Sequence, residues 1–352
     1  MKCLIYIVLI VIINAHLLPA FENDNEWKDV HYENACSKLI SMLDGTDSLN
    51  FKKAVFLIEN AYHGDSLNFD NYCSHFTTIK TKLKKYMDSK GIRGQEMAPY
   101  YAVWSYMCEP SPMNNSKTCS YDFNDFMGSE DWTNQFITKL IKTKKGNCHS
   151  LPFYFKILTE EMGVSSYLAA APSHFYIKHQ IESGQWVNIE LTNGGSFSTD
   201  AWIMSSMGIN SEAIRNGTYM APLSLQESVA LCLYDLAMGY KVKYGHNEEV
   251  EKMCEKVLQY YPKCIMALML KADCIAVAGK ELKKIKDSNI LLSSLFDVKK
   301  DEHIKISNRI IELGHREMTA EEYENWAREM DAEVQKQANN TVNKSNELKP
   351  DN

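Results

Sequence analysis

The stretch from Cys148 to Gly163 constrains the fold more than any other, because it reads as a buried helix that begins at a thiol. Pro152 has no amide to donate, and its ring crowds the carbonyl four residues back, that of Cys148, so regular helix starts at or just after Cys148. Beyond it Leu151, Tyr154, Phe155, Leu158 and Met162 recur at helical spacing, while Phe153 and Ile157 fill the other side. A helix apolar on both sides belongs in an interior. Gly163 supplies its C-terminal stop. The thiol therefore sits at a helix N-terminus, where the dipole and free amides favour the thiolate and can hold an oxyanion.

Two strands predicted after this helix offer a base and a carboxylate to orient it. His174, Tyr176 and Lys178 alternate with Phe175 and Ile177, and Trp186, Asn188 and Glu190 alternate with Val187, Ile189 and Leu191, so each strand has a polar-rich face. If the strands join across Glu182-Ser183-Gly184, matching apolar to apolar requires partner numbers with an even sum, 364 or 366. The first register sets His174 against Glu190 and the second leaves them diagonal; in both they share a face. Glu190 can then orient the imidazole while the other ring nitrogen addresses Cys148. His149 points to another side of the helix and reads as an N-terminal hydrogen-bonding residue, and His179, on the Phe175 face, is the weaker base. Trp132, Asn147, Tyr176 and Asn188 are candidate substrate-cleft residues, with core packing or structural pairing as the plain alternative.

Gly146-Asn147-Cys148-His149, a later strand histidine at His174, and a Trp-x-x-x-carboxylate strand ending in Glu190 resemble the transglutaminase-like superfamily over about residues 130 to 200. The resemblance implies an α+β fold with a papain-like core, its cysteine-bearing helix packed on an antiparallel sheet and flanked by helical N- and C-terminal regions. It implies Cys148 as nucleophile, His174 as general base and acid, and Glu190 as orienter, where the family more often carries aspartate. The implied activity is acyl transfer on an amide or peptide bond, as hydrolase, deamidase or transglutaminase, with a protein or peptide substrate and no metal or organic cofactor.

The rest of the chain reads as support. Residues 1–20 hold Lys2 as their one charge, an apolar run from Cys3 to Leu18 and a small-residue exit at Leu18-Pro19-Ala20, which predicts a cleaved secretory signal, with a retained N-terminal anchor as the alternative. Residues 21–128 are predicted helical, with Cys36, Leu39, Ile40 and Leu43 on one stripe and Val55, Ile58 and Tyr62 on another. Glu109 to Ser116 breaks the pattern, and Trp132, Phe136, Leu140 and Ile141 restart one helix that ends in Lys142, Lys144 and Lys145. The core is bounded at 129–222 and closes with two short helices capped by Asp200 and Ser211. Residues 223–337 are helical and resemble a tetratricopeptide repeat, with Gly239 at a tight helix contact, Pro262 ending a helix, and a capping box at Thr319 and Glu322. Too short for a free solenoid, this region is expected to pack on the domain before it. The polar tail 338–352 reads as disordered.

A formal charge of −7, or −8 once Lys2 is removed, argues against non-specific nucleic-acid binding. Removal of the apolar leader also leaves nothing to insert stably in a membrane. Export permits disulfides, and Cys36 with Cys73, or Cys108 with Cys119, would each close a local loop. Cys232, Cys254, Cys264 and Cys274 fall on apolar helical stripes and read as buried hydrophobes; no CxxC pair supports zinc. Sequons occur at Asn114, Asn216, Asn339 and Asn343. Two rival readings stand beside the enzyme: a non-catalytic scaffold whose C-terminal helices bind a protein partner, and a redox protein, which lacks a second thiol near Cys148 in sequence.

Overall fold

Polar residues set the helix boundaries of the N-terminal third. Asp29, Asn50 and Asn68 accept from backbone amides to cap α1 (Val30–Leu43), α2 (Phe51–Tyr62) and α3 (Phe69–Ser89), and Pro99 opens α4 (Ala98–Cys108). The computed structural model describes residues 27–285, 290–317 and 328. The signal segment, the Thr319–Glu322 capping box, the sequons at Asn339 and Asn343 and the tail lie outside the described residues.

The expected single helix after Trp132 is instead a 3-10 turn, Trp132–Gln135, and a separate α5, Ile137–Thr143. Phe136 is extended between them, and the buried Glu59 carboxylate of α2 caps α5 by accepting from Ile137 N at 2.7 Å and Thr138 N at 3.0 Å. A cap supplied by another helix has no local sequence signature. Next comes β2 (Lys145–Gly146), paired in parallel with β1 (Ser120–Tyr121), and then α6 (Ser150–Glu161). Every α6 residue from Ser150 to Thr159 is buried, as the two-sided apolar pattern predicts. Gly163 ends it in the left-handed region, φ 83°, with Val164 N returning to the Thr159 carbonyl.

The fold is mixed α+β. A four-stranded antiparallel meander runs β3 (Tyr167–Ala171), β4 (His174–Gln180), β5 (Trp186–Glu190), β6 (Ser196–Ser198), and α6 packs on β3 and β4. Ile177 pairs with Ile189 and His179 with Val187, the 366 register, and Gly184 (φ 84°) turns the hairpin. The sequence reading lacks β3 and β6. Ala169, Ala170 and Ala171 are poor strand formers, and β3 is held by its surroundings: His174–Lys178 on one side, and on the other Met220 N and Leu223 N, which donate to Ala170 and Leu168 carbonyls.

The short helices α7 (Asp200–Ser206) and α8 (Ser211–Arg215) are capped one residue earlier than expected, by Thr199 and Asn210. Those residues hold the extended conformation a cap requires, and Asp200 serves β5 instead, accepting from Asn188 Nδ2 at 2.7 Å. Four helices follow, α9 (Leu225–Tyr244), α10 (Glu248–Tyr260), α11 (Ile265–Ile285) and α12 (Ile290–Glu312), each packed on the next. Pro262 lies just past α10, as expected. Gly239 does lie at a tight contact, but toward Tyr32 Oη and Trp132 Nε1, 3.2 and 3.5 Å from where a Cβ would stand. Accordingly α9 packs on α1 and α2, and one hydrophobic cluster joins Tyr32, Phe153, Leu236 and Ile306 across positions 128 and 222.

Cys232, Cys254, Cys264 and Cys274 are buried, and every described cysteine is a free thiol. The Cys119 amide donates to Met107, which sets Cys119 beside Cys108. The sequon Asn114 is buried and donates to the Tyr106 and Glu109 carbonyls, so in the folded chain it is no glycan acceptor. No helix of the described residues is long and apolar enough to cross a membrane.

Candidate active site

The site is assembled from a helix start, two turns and one strand end. Asn147 Oδ1 accepts from His149 N at 3.0 Å and Ser150 N at 3.1 Å, while Ser150 Oγ accepts from Asn147 N at 3.1 Å, a reciprocal cap. The Asn147 carbonyl accepts from Leu151 N, so Cys148 lies in the turn that leads into α6, two residues before its first residue Ser150. Gly146 is required at the strand before it: a Cβ there would lie 2.5 Å from Ser150 Oγ. Asn147 is therefore a buried capping residue and lines no cleft, contrary to expectation. The expectation of free amides is corrected too. The cap occupies those of His149 and Ser150, and the Cys148 amide lies outside it.

His174 opens β4 after a two-residue turn, Pro172-Ser173. Ser173 has φ 53°, a conformation that costs a residue with a Cβ about 1 kcal/mol or more, and the turn aims its carbonyl at the Cys148 thiol. The Cys148 thiol donates to Ser173 O at 3.8 Å, a long contact even for sulfur, and lies near enough to the His174 ring to raise its pKa. His174 Nε2 donates to Glu190 Oε2 at 2.7 Å, which leaves Nδ1 as the ring nitrogen free to address the thiol. By the 366 register Glu190 falls opposite Tyr176 and diagonal to His174, the second of the two expected arrangements.

Glu190 is held from its far side as well. Its Oε1 accepts from Thr192 N at 2.9 Å and Thr192 Oγ1 at 2.7 Å, and its side chain is 2% exposed. Burial pushes this carboxyl up, but His174 and Thr192 outweigh burial and hold it below the ordinary carboxylate value. Burial likewise pulls the His174 imidazole down. The Glu190 charge and the Cys148 thiol win, and the ring is raised to about 10. Tyr121, brought alongside by β1–β2 pairing, is raised by burial and then by the charges of Cys148 and Glu190, so it faces the same site. Phe123 and Phe126 pack on Tyr121 with ring centroids at 4.8 and 6.1 Å.

The other candidates fall elsewhere. Trp132 faces inward onto a cavity of about 10 Å³ shared with Glu59, His149 and Asp235, because α9 approaches at Gly239 and covers it. Tyr176 is fully buried, and Asn188 gives its amide to Ser198 O and Asp200 Oδ1; the start of α7 covers this polar strand face, so neither residue is open to a substrate. His149 is not the base, as expected, but its partner is Asp235 of α9, at 2.9 Å. His179 is buried and stacked on Tyr100 at 4.3 Å. Sequence reasoning missed Ser173, Thr192 and Tyr121. A signal exists for the first two, a Pro-Ser turn directly before His174 and a hydroxyl two residues after Glu190; Tyr121 has none.

Among the described residues the one group of three potential metal ligands is Glu251, Glu255 and Glu302, whose carboxylates are engaged by Lys271 and Lys299. No protein-family model, curated protein or solved structure matches the chain.

Proposed function

We propose that the chain is an exported, cysteine-dependent acyl-transfer enzyme with a transglutaminase-like core, acting on an amide or peptide bond through Cys148, His174 and Glu190. The observation that carries the reading is a thiol in the turn that leads into a buried helix, near an imidazole whose far nitrogen is tied to a buried carboxylate. The thiolate adds to the substrate carbonyl, and the Cys148 amide donates to the oxyanion. The C–N bond then breaks as His174, in its protonated form, gives its proton to the leaving amine. A thioester on Cys148 remains. Water or a second amine adds to it, His174 takes up that nucleophile's proton, the C–S bond breaks and the thiolate returns. Glu190 keeps the ring oriented and stabilises its cationic form. Which amide is attacked, backbone or side chain, decides between peptide cleavage and deamidation, and an amine arriving at the thioester before water gives crosslinking.

Cys73 is the internal control, a second partly exposed thiol in the same chain. Iodoacetamide should alkylate Cys148 at least about tenfold faster than Cys73, and a peptide-amide library should leave a mass adduct on Cys148 that Cys148→Ala abolishes. Equal alkylation rates together with no adduct would sink the proposal. A second reading, a scaffold that binds a protein through its C-terminal helices, is favoured by the apolar residues α12 leaves exposed, Ile290 at 87%, Val298 at 61% and Ile311 at 66%.

A further inference from the structure

The turn between β3 and β4 has two sides in use. Ser173 directs its carbonyl at the Cys148 thiol, and with Ala171 and Pro172 it forms one wall of a cavity of about 230 Å³. The opposite wall comes from the C-terminal helices and the chain after α12: Tyr261, Met266 and Met269 beside Tyr219 and His315. The cavity thus adjoins the Cys148 centre through Ser173, and it exists because the start of α11 and the chain after α12 close over this turn. It is smaller than the roughly 300–1,000 Å³ usual for drug-sized ligands, a size suited to an amino-acid side chain rather than to an organic cofactor.

Its lining is chemically two-sided. Tyr219, Tyr261, Met266 and Met269 are apolar bodies, the methionines being adaptable to varied shapes. Tyr219 Oη and His315 Nδ1 meet at 2.6 Å, which fixes both rings. The exposed rim carries Lys263, Arg316 and Glu317, two cations against one acid, and burial lowers the His315 pKa so that it adds no charge at neutral pH. Among the described residues Lys263 is in no ion pair, whereas Lys271 and Lys299 are each bound to glutamates. Its ammonium stands 3.1 Å from where a Cβ on Gly217 would be, against the segment that edges β3.

We infer that this cavity is the substrate side-chain subsite of the Cys148 centre and takes a peptide residue pair with an apolar body beside a carboxylate, the carboxylate meeting Lys263. The inference rests on the acyl-transfer reading of Cys148, and it adds what that reading leaves open, the substrate class. The C-terminal helices are on this account part of the binding site.

Two electrophilic probes of equal size test it, acetyl-Leu-Glu and acetyl-Leu-Gln acyloxymethyl ketones, with the alkylation rate of Cys148 read by mass spectrometry. The glutamate probe should react about tenfold faster, the factor that roughly 1.4 kcal/mol of charge-assisted contact gives. Lys263→Ala should bring the two within about twofold, and Lys263→Glu should reverse the order; Lys263 is exposed, so neither variant disturbs the core, and unchanged iodoacetamide labelling of Cys148 verifies an intact thiol. In parallel, acetyl-Leu-Glu amide is titrated against the Cys148→Ala chain and its Lys263→Ala derivative. Equal labelling by both probes overturns the subsite and leaves the acyl-transfer reading standing. Binding that requires Lys263, with no labelling by either probe, supports the subsite and removes the enzyme. Absence of both overturns the inference.

Discussion

His174 holds a proton that a free imidazole near neutral pH would share with water. Burial opposes this, but the Glu190 carboxylate and the Cys148 thiol raise the ring to about 10. Because that value lies above the ordinary 6.5, the pair's contribution to stability is complete below about pH 6.5 and is lost as pH rises toward 10. Glu190 works at the other end: its folded value is depressed, so its contribution is present above the ordinary 4.5 and lost as pH falls through the folded value. Glu59 runs against both. Burial raises it to about 7 despite its two amide donors, so between 4.5 and 7 rising pH costs stability there. The Tm advantage of the wild type over Glu190→Gln should therefore be widest between about pH 4.5 and 6.5 and shrink toward pH 10. In the same variant the His174 midpoint, followed by NMR, should fall from about 10 toward 6.5, and acyl transfer should slow by about 10²-fold. A midpoint still near 10 would show that Glu190 is not what holds the proton. Cys148, His174 and Glu190 are legible as a group in the sequence because strand parity and a helix-breaking proline are local rules. Thr192 and Ser173 are less so, since their roles depend on how a turn closes in space.

At the scale of elements, the turn that delivers Glu190 is set by a glycine. Gly195 has φ 85°, and a Cβ on it would stand 2.5 Å from Trp104 Nε1 and 2.6 Å from Cys108 Sγ. Trp104 Nε1 in turn donates to the Gly195 carbonyl at 2.7 Å, which ties α4 to the turn between β5 and β6. Its neighbour Gly194 has φ 86° and open space around it. The pair separates backbone strain from overpacking. Gly194→Ala should cost about 1 kcal/mol, and Gly195→Ala about 2–4 kcal/mol with a clear fall in Tm, by denaturant melts of both variants. Equal costs would mean that Trp104 yields easily. The periodicity of α1 is visible in the chain because it buries one face at a fixed interval, and α6 is visible because it is apolar on both sides, whereas β3 reads poorly because alanines owe their extended shape to neighbours on both sides.

Across the whole molecule, the helices before and after the sheet share one interior with the site. His149, the residue after Cys148, hydrogen-bonds Asp235 of α9 at 2.9 Å, both side chains nearly buried. Burial pushes Asp235 up, partly offset by His149, so the aspartate depends on that partner. Asp235→Ala should destabilise the chain by about 3–5 kcal/mol in urea melts, and Asp235→Leu with His149→Phe should recover most of it, since removing both partners leaves no unpaired buried charge. If the single and double variants are equally unstable, packing rather than pairing is the cause. Read by itself, the chain determined its helical periodicities, the buried helix opening just after Cys148, and the shared face of His174 and Glu190, because these follow from 3.6- and 2-residue repeats and from the chemistry of proline and glycine. Tertiary structure alone decided that Trp132, Tyr176 and Asn188 are covered, that Tyr121 is brought near the thiol, and that the C-terminal helices reach the Ser173 turn. Those are contacts between segments from about 10 to more than 140 residues apart, and no local propensity encodes them.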